Sequence, residues 1–279
     1  MTIAQLLQEA KNKLTSVSDR PSLEAEILLA FALNKPRSYL HTWPETSISA
    51  ESQACFDRYL KRRADKEPIA YITGAREFWS LTLSVNSATL IPRPETELLV
   101  ELTLKLFQRD NPVKIADLGT GSGAIGLALS HECPAWQIEA VDISENALQI
   151  ARKNAQQFAL KNISFYHGNW CTALPCTGFD AIVSNPPYLA ETEWPIYADN
   201  LAFEPKEALV SGPDGLEAVR IISQTAKGYL KPGGYLLIEH GFLQAEALRA
   251  IFTAEGYQSI HSVRDLAGHE RVTIGQCPQ

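Results

Sequence analysis

The sequence has few cysteines, a single methionine and no long apolar run. Its 5 cysteines in 279 residues are scattered and odd in number, which argues against a disulfide framework. Cys171 and Cys176 have neither a second cysteine pair nor a histidine cluster nearby, so no metal site is expected. The longest apolar run, Ala25 to Leu33, is interrupted by Glu26 and is too short to cross a bilayer. The N-terminus lacks a secretory signal pattern, and we expect a reducing, cytoplasmic location without membrane attachment.

Positive charge is also scarce, since the net charge is −7 and the sequence pI is about 5.4. This balance argues against a broad basic surface that grips nucleic-acid phosphates. The charge is divided unevenly, with a net of +1 over residues 1–68 and −8 over residues 69–279. The asymmetry indicates two modules.

Helical periodicity dominates the first module. Apolar residues recur at helical spacing near Ile3–Leu14, Leu23–Phe31 and Ser49–Lys66. We therefore predict a small helical bundle over residues 1–68. Alternating apolar residues around Phe78 to Val85 predict a β-hairpin linker over 69–88.

The remainder, residues 89–279, alternates helical and strand patterns. A helix is predicted from Pro94, with Leu98, Leu102 and Leu106 on its buried face. Strands are expected near 113–118, 137–142, 163–167, 179–184, 234–239, 259–264 and 271–274, and helices near 124–131, 145–158, 216–230 and 243–255. Apolar strands that alternate with helices predict an α/β, Rossmann-like, mostly parallel sheet covered on both faces.

A glycine-rich turn follows the first strand of this region. Asp117 ends the strand, and Gly119, Gly121 and Gly123 would let a ligand approach the backbone and the helix N-terminus. The spacing differs from that of dinucleotide enzymes. The next strand ends at Asp142, which could accept the hydroxyls of an adenosine ribose or could cap the following helix. Combined with the glycine turn, the ribose role is favoured.

The third and fourth strands end in further polar and aromatic residues. Asn169 could hydrogen-bond an adenine edge, and Trp170 could pack on its face or merely cover the sheet. The fourth strand leads into Asn185-Pro186-Pro187-Tyr188. Two prolines remove two backbone donors and leave carbonyl acceptors open. With the Asn185 side chain and the Tyr188 ring, they could hold a planar NH₂ group.

These motifs resemble those of an S-adenosylmethionine-dependent methyltransferase acting on a planar nitrogen. Further motifs at Ile91–Glu97, Phe203–Pro205 and Glu270–Thr273 narrow the resemblance. Essentially the whole chain resembles the HemK/PrmC family of protein-(glutamine-N5) methyltransferases, which modify bacterial peptide chain release factors at the glutamine of a Gly-Gly-Gln motif.

The resemblance implies a seven-stranded methyltransferase sheet with a reversed final strand and a helical substrate-docking domain in front. It implies S-adenosyl-L-methionine as cofactor and release factors as protein partners. From the acidic charge balance we expect no direct nucleic-acid binding, and we expect a monomer. The implied catalytic and substrate-binding residues are Asn185, Pro186, Pro187 and Tyr188. The implied cofactor-binding residues are Asp117, Gly119, Thr120, Gly121, Ser122, Gly123, Asp142, Asn169, Trp170 and Asn185. Asn169 departs from the family, since many relatives carry Asp there.

Three alternatives stay open on the sequence. A glutamine methyltransferase of a ribosomal protein would share the catalytic motifs. An adenine-N6 or cytosine-N4 DNA methyltransferase would also bind a planar NH₂ group, but the acidic catalytic region counts against it. A scaffold without activity would not require an intact glycine turn together with Asn185 and its prolines. Glu239 and His240, at another strand end, are given a structural role.

Overall fold

The computed structural model describes all residues 1–279, which divide into two compact units, residues 1–75 and 76–279. The first unit contains five helices: α1 (Ile3–Leu14), α2 (Pro21–Leu33), α3 (Arg37–Thr42), α4 (Ala50–Ala64) and α5 (Ile69–Thr73). Local signals explain several helix ends. Thr2 and Gln5 form a capping box at α1, and Ser49 caps α4. Apolar faces of the helices form one core that includes Ile3, Leu28 and Phe56.

The predicted hairpin is shorter than the sequence suggested. Strands β1 (Ala75–Phe78) and β2 (Leu81–Ser84) are joined at Trp79 and Ser80, both with positive φ. Residues 69–73, assigned to the hairpin from the sequence, form α5 instead. Pro68 precedes this helix and Gly74 ends it in the left-handed conformation, whereas the apolar alternation begins only at Phe78.

The second unit is built on a seven-stranded sheet. Its strands are β3 (Lys114–Leu118), β4 (Gln137–Asp142), β5 (Ile163–His167), β6 (Phe179–Ser184), β7 (Leu230–Glu239), β8 (Gln258–Arg264) and β9 (Glu270–Gln276). The order across the sheet is β5-β4-β3-β6-β7-β9-β8. All neighbours are parallel except at β9, which is antiparallel to both β7 and β8. The predicted α/β fold with its reversed final strand is confirmed.

Helices of this unit are α6 (Glu97–Leu106), α7 (Ala124–Glu132), α8 (Glu145–Gln157), α9 (Trp194–Leu201), α10 (Glu217–Ala226) and α11 (Ala245–Ala254). Helix α9 was not predicted. The predicted helix from 216 to 230 stops at Ala226, and β7 already begins at Leu230. The structure holds no helix with both the length and the apolar character that a membrane-spanning segment requires.

Helix α6 differs from its prediction at its start and on its buried face. Pro94–Thr96 form a 3₁₀ turn, and the α-helix begins at Glu97. The buried side chains are Leu99, Val100 and Thr103 rather than Leu98, Leu102 and Leu106, which are half-buried. The leucine spacing therefore identified the helix but misplaced its face by about one residue. The turn brings Thr96 into a buried position.

The sheet order defines where a ligand can bind. The chain proceeds outward from β3 through β4 to β5, and then returns to β6 on the other side of β3. At such a reversal the loops after the two central strands diverge and leave a crevice at the carboxyl edge of the sheet. Leu118 lies beside Ser184 in the register, so the glycine turn and Asn185 begin next to each other.

Candidate active site

The glycine turn after β3 has the open backbone that the sequence suggested. Gly119, Gly121 and Gly123 have φ values of 73°, 57° and 89°, in a region that L side chains rarely adopt. A Cβ at Gly119 would lie 3.2 Å from the Trp170 ring, whereas one at Gly121 would have no protein atom within 4 Å. Glycine is thus needed at 119 for packing, while Gly121 adjoins open space.

Asp117 holds the glycine turn through hydrogen bonds to a residue within it and to a residue just after it. Its Oδ2 accepts hydrogen bonds from the Thr120 hydroxyl at 2.6 Å and the Gly126 amide at 2.9 Å. Its Oδ1 is buried and has no partner. Burial raises the pKa of Asp117 to about 6. The turn therefore rests on a buried carboxyl group with one spare acceptor.

The glycine turn borders a cavity of about 460 Å³, called here the glycine-loop cavity. Of the residues predicted for cofactor binding, it is lined by Gly119, Gly121, Asp142, Asn169, Trp170 and Asn185. Asp117, Thr120, Ser122 and Gly123 do not line it. All four residues are buried, and the Thr120 hydroxyl donates to Asp117 within the turn.

Asp142 accepts backbone hydrogen bonds from the glycine turn and from the residue that caps α8. Its Oδ2 accepts from the Gly121 amide and its Oδ1 from the Ser144 amide, each at 2.8 Å. Ser144 in turn caps α8 through the Ala147 amide. Burial raises the pKa of Asp142, and these two backbone hydrogen bonds oppose the rise. Since a carboxylate oxygen can accept more than one hydrogen bond, Asp142 can hold the turn and still receive a ligand hydroxyl.

A second cavity of about 340 Å³, called here the Tyr188 cavity, adjoins the first. It is lined by Pro186 and Tyr188, by the cations Arg93 and Arg271, and by the exposed apolar side chains of Phe242 and Leu243. Pro187 lines the glycine-loop cavity instead. Asn185 lines both cavities, as do Leu90 and Ala208.

Asn185 presents its amide in one orientation. Its Nδ2 donates to Thr96 Oγ1 at 3.0 Å, while its Oδ1 is buried without a partner. The carbonyl oxygens of Asn185, Pro186 and Pro187 accept no backbone hydrogen bond. The site thus holds several hydrogen-bond acceptors and leaves them unused, an arrangement suited to a group that carries N–H donors.

Tyr188 is fixed by the chain around it. Its amide donates to the Leu209 carbonyl at 3.1 Å, and its carbonyl accepts from Gln244 Nε2 at 2.9 Å. Gly215 packs so closely that a Cβ there would lie 2.3 Å from the Tyr188 carbonyl oxygen. Burial raises the pKa of the phenol to about 12, so Tyr188 stays neutral and serves as a rigid wall.

Several residues at the site were not found from the sequence as site residues. Arg93 pairs with the buried Glu204 at 2.5 Å, and Glu204 also accepts from the Ile91 amide at 3.0 Å. Both residues lie in motifs that carried the family resemblance, which was the available signal. Thr96 lies in one of those motifs as well, but nothing local indicates that it contacts Asn185, 89 residues further along the chain.

Known proteins that resemble this chain indicate the class of its second unit. A family model described as the methyltransferase small domain matches residues 94–213. Solved structures with the same fold include the hMettl16 catalytic domain in complex with a MAT2A 3′UTR hairpin, at 17% identity, a TM-score of 0.59 and coverage of 77% of this chain and 81% of that one. A methyltransferase from Pyrococcus furiosus has 19% identity, a TM-score of 0.54 and coverage of 78% and 99%. The second unit is a methyltransferase domain.

The particular family follows from closer relatives. A model described as the PrmC N-terminal domain matches residues 5–74. The release factor glutamine methyltransferase of Coxiella burnetii is 48% identical over 99% of both chains. That of Vibrio cholerae is 47% identical over 99% of this chain and 97% of its own. The chain belongs to the release factor glutamine methyltransferase family, which confirms the family predicted from the motifs.

Proposed function

We propose that this protein transfers a methyl group from S-adenosyl-L-methionine to the side-chain amide nitrogen of the glutamine in the Gly-Gly-Gln motif of class-1 peptide chain release factors. The observation that carries the proposal is the position of Asn185. It stands between two adjoining cavities and holds a buried, unpartnered amide oxygen. A primary amide brought to this point from the Tyr188 cavity would supply the missing donors.

The glycine-loop cavity suits the cofactor. It combines a broad aromatic side chain, Trp170, with an acid at Asp142 and a turn that keeps side chains away at Gly121. Asp142 would hold the ribose hydroxyls, and Trp170 and Asn169 would bind the adenine. Asp117 adds an unpartnered buried oxygen below the turn, available to a further donor. When bound, the cofactor supplies a methyl group on a positively charged sulfur.

The Tyr188 cavity suits the acceptor glutamine. Asn185 Oδ1 and the free Pro186 carbonyl would each accept one hydrogen of the glutamine NH₂ group. An amide nitrogen is a weak nucleophile because its lone pair is delocalised into the carbonyl. Its attack on the methyl carbon depends on orientation, which can contribute roughly 7–11 kcal/mol relative to reaction in solution.

Charge develops on this nitrogen during the reaction. Transfer would form a new N–C bond as the methyl–sulfur bond breaks, so the amide nitrogen would gain positive charge and would then lose a proton to water. Asn185 Oδ1 and the Pro186 carbonyl stabilise that charge through hydrogen bonds that are already oriented. No strong base is required before the methyl group is transferred.

The charge of the catalytic region bears on the kind of substrate partner. Residues 69–279 carry a net charge of −8, which disfavours contact with nucleic-acid phosphates and favours a protein substrate. We expect the protein to act as a cytoplasmic monomer. Asn185, Pro186, Pro187 and Tyr188 would contact the acceptor glutamine.

Mass spectrometry of a methylated substrate tests the function. The full chain is incubated with cofactor carrying a deuterated methyl group and with purified release factor, which is then digested. We expect one labelled methyl group on the glutamine of the Gly-Gly-Gln motif. A release factor with alanine at that position serves as the control and should gain none. Labelling of ribosomal proteins or of DNA in parallel reactions, without labelling of release factor, would refute the proposal.

A further inference from the structure

A short polar chain extends from Asn185 into the protein interior. The Asn185 amide donates to Thr96 Oγ1 at 3.0 Å, and the Thr96 hydroxyl lies close enough to the Glu239 carboxyl group to favour its ionised form. Thr96 and Glu239 are 3% and 2% exposed. Neither lines the two cavities. The chain thus connects a residue at the site to a carboxyl group that solvent does not reach.

The sheet register explains why these residues meet. Strands β6 and β7 are parallel neighbours, and Ser184 lies beside Ile238. Asn185 directly follows the last residue of β6, and Glu239 is the last residue of β7, so the two residues lie side by side at the carboxyl edge of the sheet. The 3₁₀ turn Pro94–Thr96 places the Thr96 hydroxyl in contact with both.

The direction of the hydrogen bonds follows from the number of protons available. A threonine hydroxyl has one hydrogen, and a carboxylate can only accept. Thr96 therefore donates to ionised Glu239, and its oxygen is left to accept from the Asn185 NH₂ group. This orientation leaves Asn185 Oδ1 facing away from Thr96 without a partner. The reverse orientation would present an NH₂ group to the NH₂ group of the acceptor amide and would repel it.

We propose that Thr96 and Glu239 are positioning residues that fix the Asn185 amide with its oxygen toward the methyl acceptor. A chain of hydrogen bonds that ends on a carboxylate also polarises each member, which makes Asn185 Oδ1 a stronger acceptor for the developing positive charge. The expected changes in kcat rest on the proposed function. The expected change in the NMR signal of Asn185 does not depend on that function.

The surroundings of Glu239 make its ionisation sensitive to pH. Burial raises its pKa to about 7, while the hydrogen bond from Thr96 and the charges of Arg271 and Arg93 lower it and Glu95 raises it. Tyr188 also faces this group. Protonated Glu239 could donate to Thr96 and reverse the chain. We therefore expect kcat to be roughly tenfold lower at pH 6 than at pH 8.

The first test removes the hydroxyl group. Thr96→Val should lower kcat by up to about 100-fold, the scale expected for a misoriented reacting group. Thr96→Ser, which keeps the hydroxyl, should stay within a few-fold of wild type. Thr103→Val is the matched control, because Thr103 is a buried threonine of α6 whose hydroxyl bonds only the Leu99 carbonyl.

A second readout does not depend on turnover. In NMR spectra of the free protein with labelled asparagine, the side-chain signal of Asn185 is assigned by its absence from Asn185→Asp. We expect this signal to shift in Thr96→Val and to stay in place in Thr103→Val. An unchanged signal in Thr96→Val would overturn the inference, even for a protein that fails to methylate release factor.

The third test concerns the carboxylate. Glu239→Gln cannot ionise and should abolish the dependence of kcat on pH between about pH 6 and pH 8. Glu139→Gln is the control, since Glu139 is another glutamate of the sheet that is 2% exposed with an unpartnered oxygen, and it should keep the wild-type profile. A Glu239→Gln profile identical to that of wild type would overturn the role of Glu239.

Discussion

The glycine-loop cavity and the Tyr188 cavity adjoin at Asn185. They differ in whether their polar atoms already accept hydrogen bonds within the protein. In the first, both oxygens of Asp142 already accept backbone hydrogen bonds, and glycines determine the shape. At the junction of the two cavities Asn185 Oδ1 is unpartnered, and in the second cavity the Pro186 carbonyl accepts no backbone hydrogen bond. A binding site can satisfy its polar groups in advance, whereas a site for reaction keeps acceptors available. Changes in the first should alter affinity, and changes at the junction should alter rate.

The largest expected effect comes from Asn185→Ala. Removal of the acceptor should lower kcat roughly 10²- to 10³-fold, as for other groups placed where charge develops. Cofactor affinity, measured by calorimetry, should change only a few-fold. Asn111→Ala, in an exposed turn, is the control. A variant that keeps wild-type kcat, or one that loses mainly cofactor affinity, would remove the contrast between the two cavities.

Asp117→Asn should change stability with pH rather than rate. The pKa of Asp117 is raised from 3.8 to about 6, so the folded state binds its proton more tightly than the unfolded state. This contribution is fully present below about pH 4 and is lost as the pH rises through about 6. This contribution to the free energy of unfolding is on the order of 3 kcal/mol. The amide of Asp117→Asn does not titrate, so the variant has no corresponding loss of stability as the pH rises.

Urea unfolding at pH 4 and pH 8 measures that difference. The free energy of unfolding of Asp117→Asn relative to wild type should be higher at pH 8 than at pH 4. An equal difference at the two values would show that the buried carboxyl group does not titrate as the structure implies.

A matched pair of glycine variants separates shape from strain. Gly121→Ala and Gly178→Ala both place a side chain at positive φ, and neither new Cβ meets a protein atom within 4 Å. Each should lose roughly 1 kcal/mol of stability from backbone strain. Only Gly121 lines the glycine-loop cavity, so only Gly121→Ala should weaken cofactor binding, by about tenfold. Equal affinities in calorimetry would mean that the turn does not approach the cofactor.

The smallest expected effect is at Asn169. Its side chain lines the glycine-loop cavity but makes no hydrogen bond there, and only its backbone carbonyl accepts, from Thr172. Asn169→Asp should change cofactor affinity about twofold, equivalent to roughly 0.5 kcal/mol. A tenfold loss of affinity would show that the Asn169 amide donates to the cofactor. The glycine-loop cavity would then depend on a hydrogen bond that is not yet formed in the free protein.

Local patterns were sufficient for much of the fold. The limits of β5 and β6 agree with the structure at every residue, because short apolar runs between turn residues are clear signals. The hairpin limits, α9 and the buried face of α6 were missed or misplaced. Pro195 at the second position of α9 and weakly amphipathic residues after it give little local periodicity, and this helix buries no side chain.

The sequence by itself determined the alternating α/β pattern, the glycine turn, the acid at Asp142 and the Asn185 motif, since each is a property of neighbouring residues. Only the tertiary structure decided which polar atoms are satisfied. The pairing of β6 with β7 puts Asn185 beside Glu239, and the turn at Thr96 joins them from far away in the chain. The side chain of Asn185 thereby acquires a fixed orientation, because hydrogen bonds between distant segments depend on strand order and register.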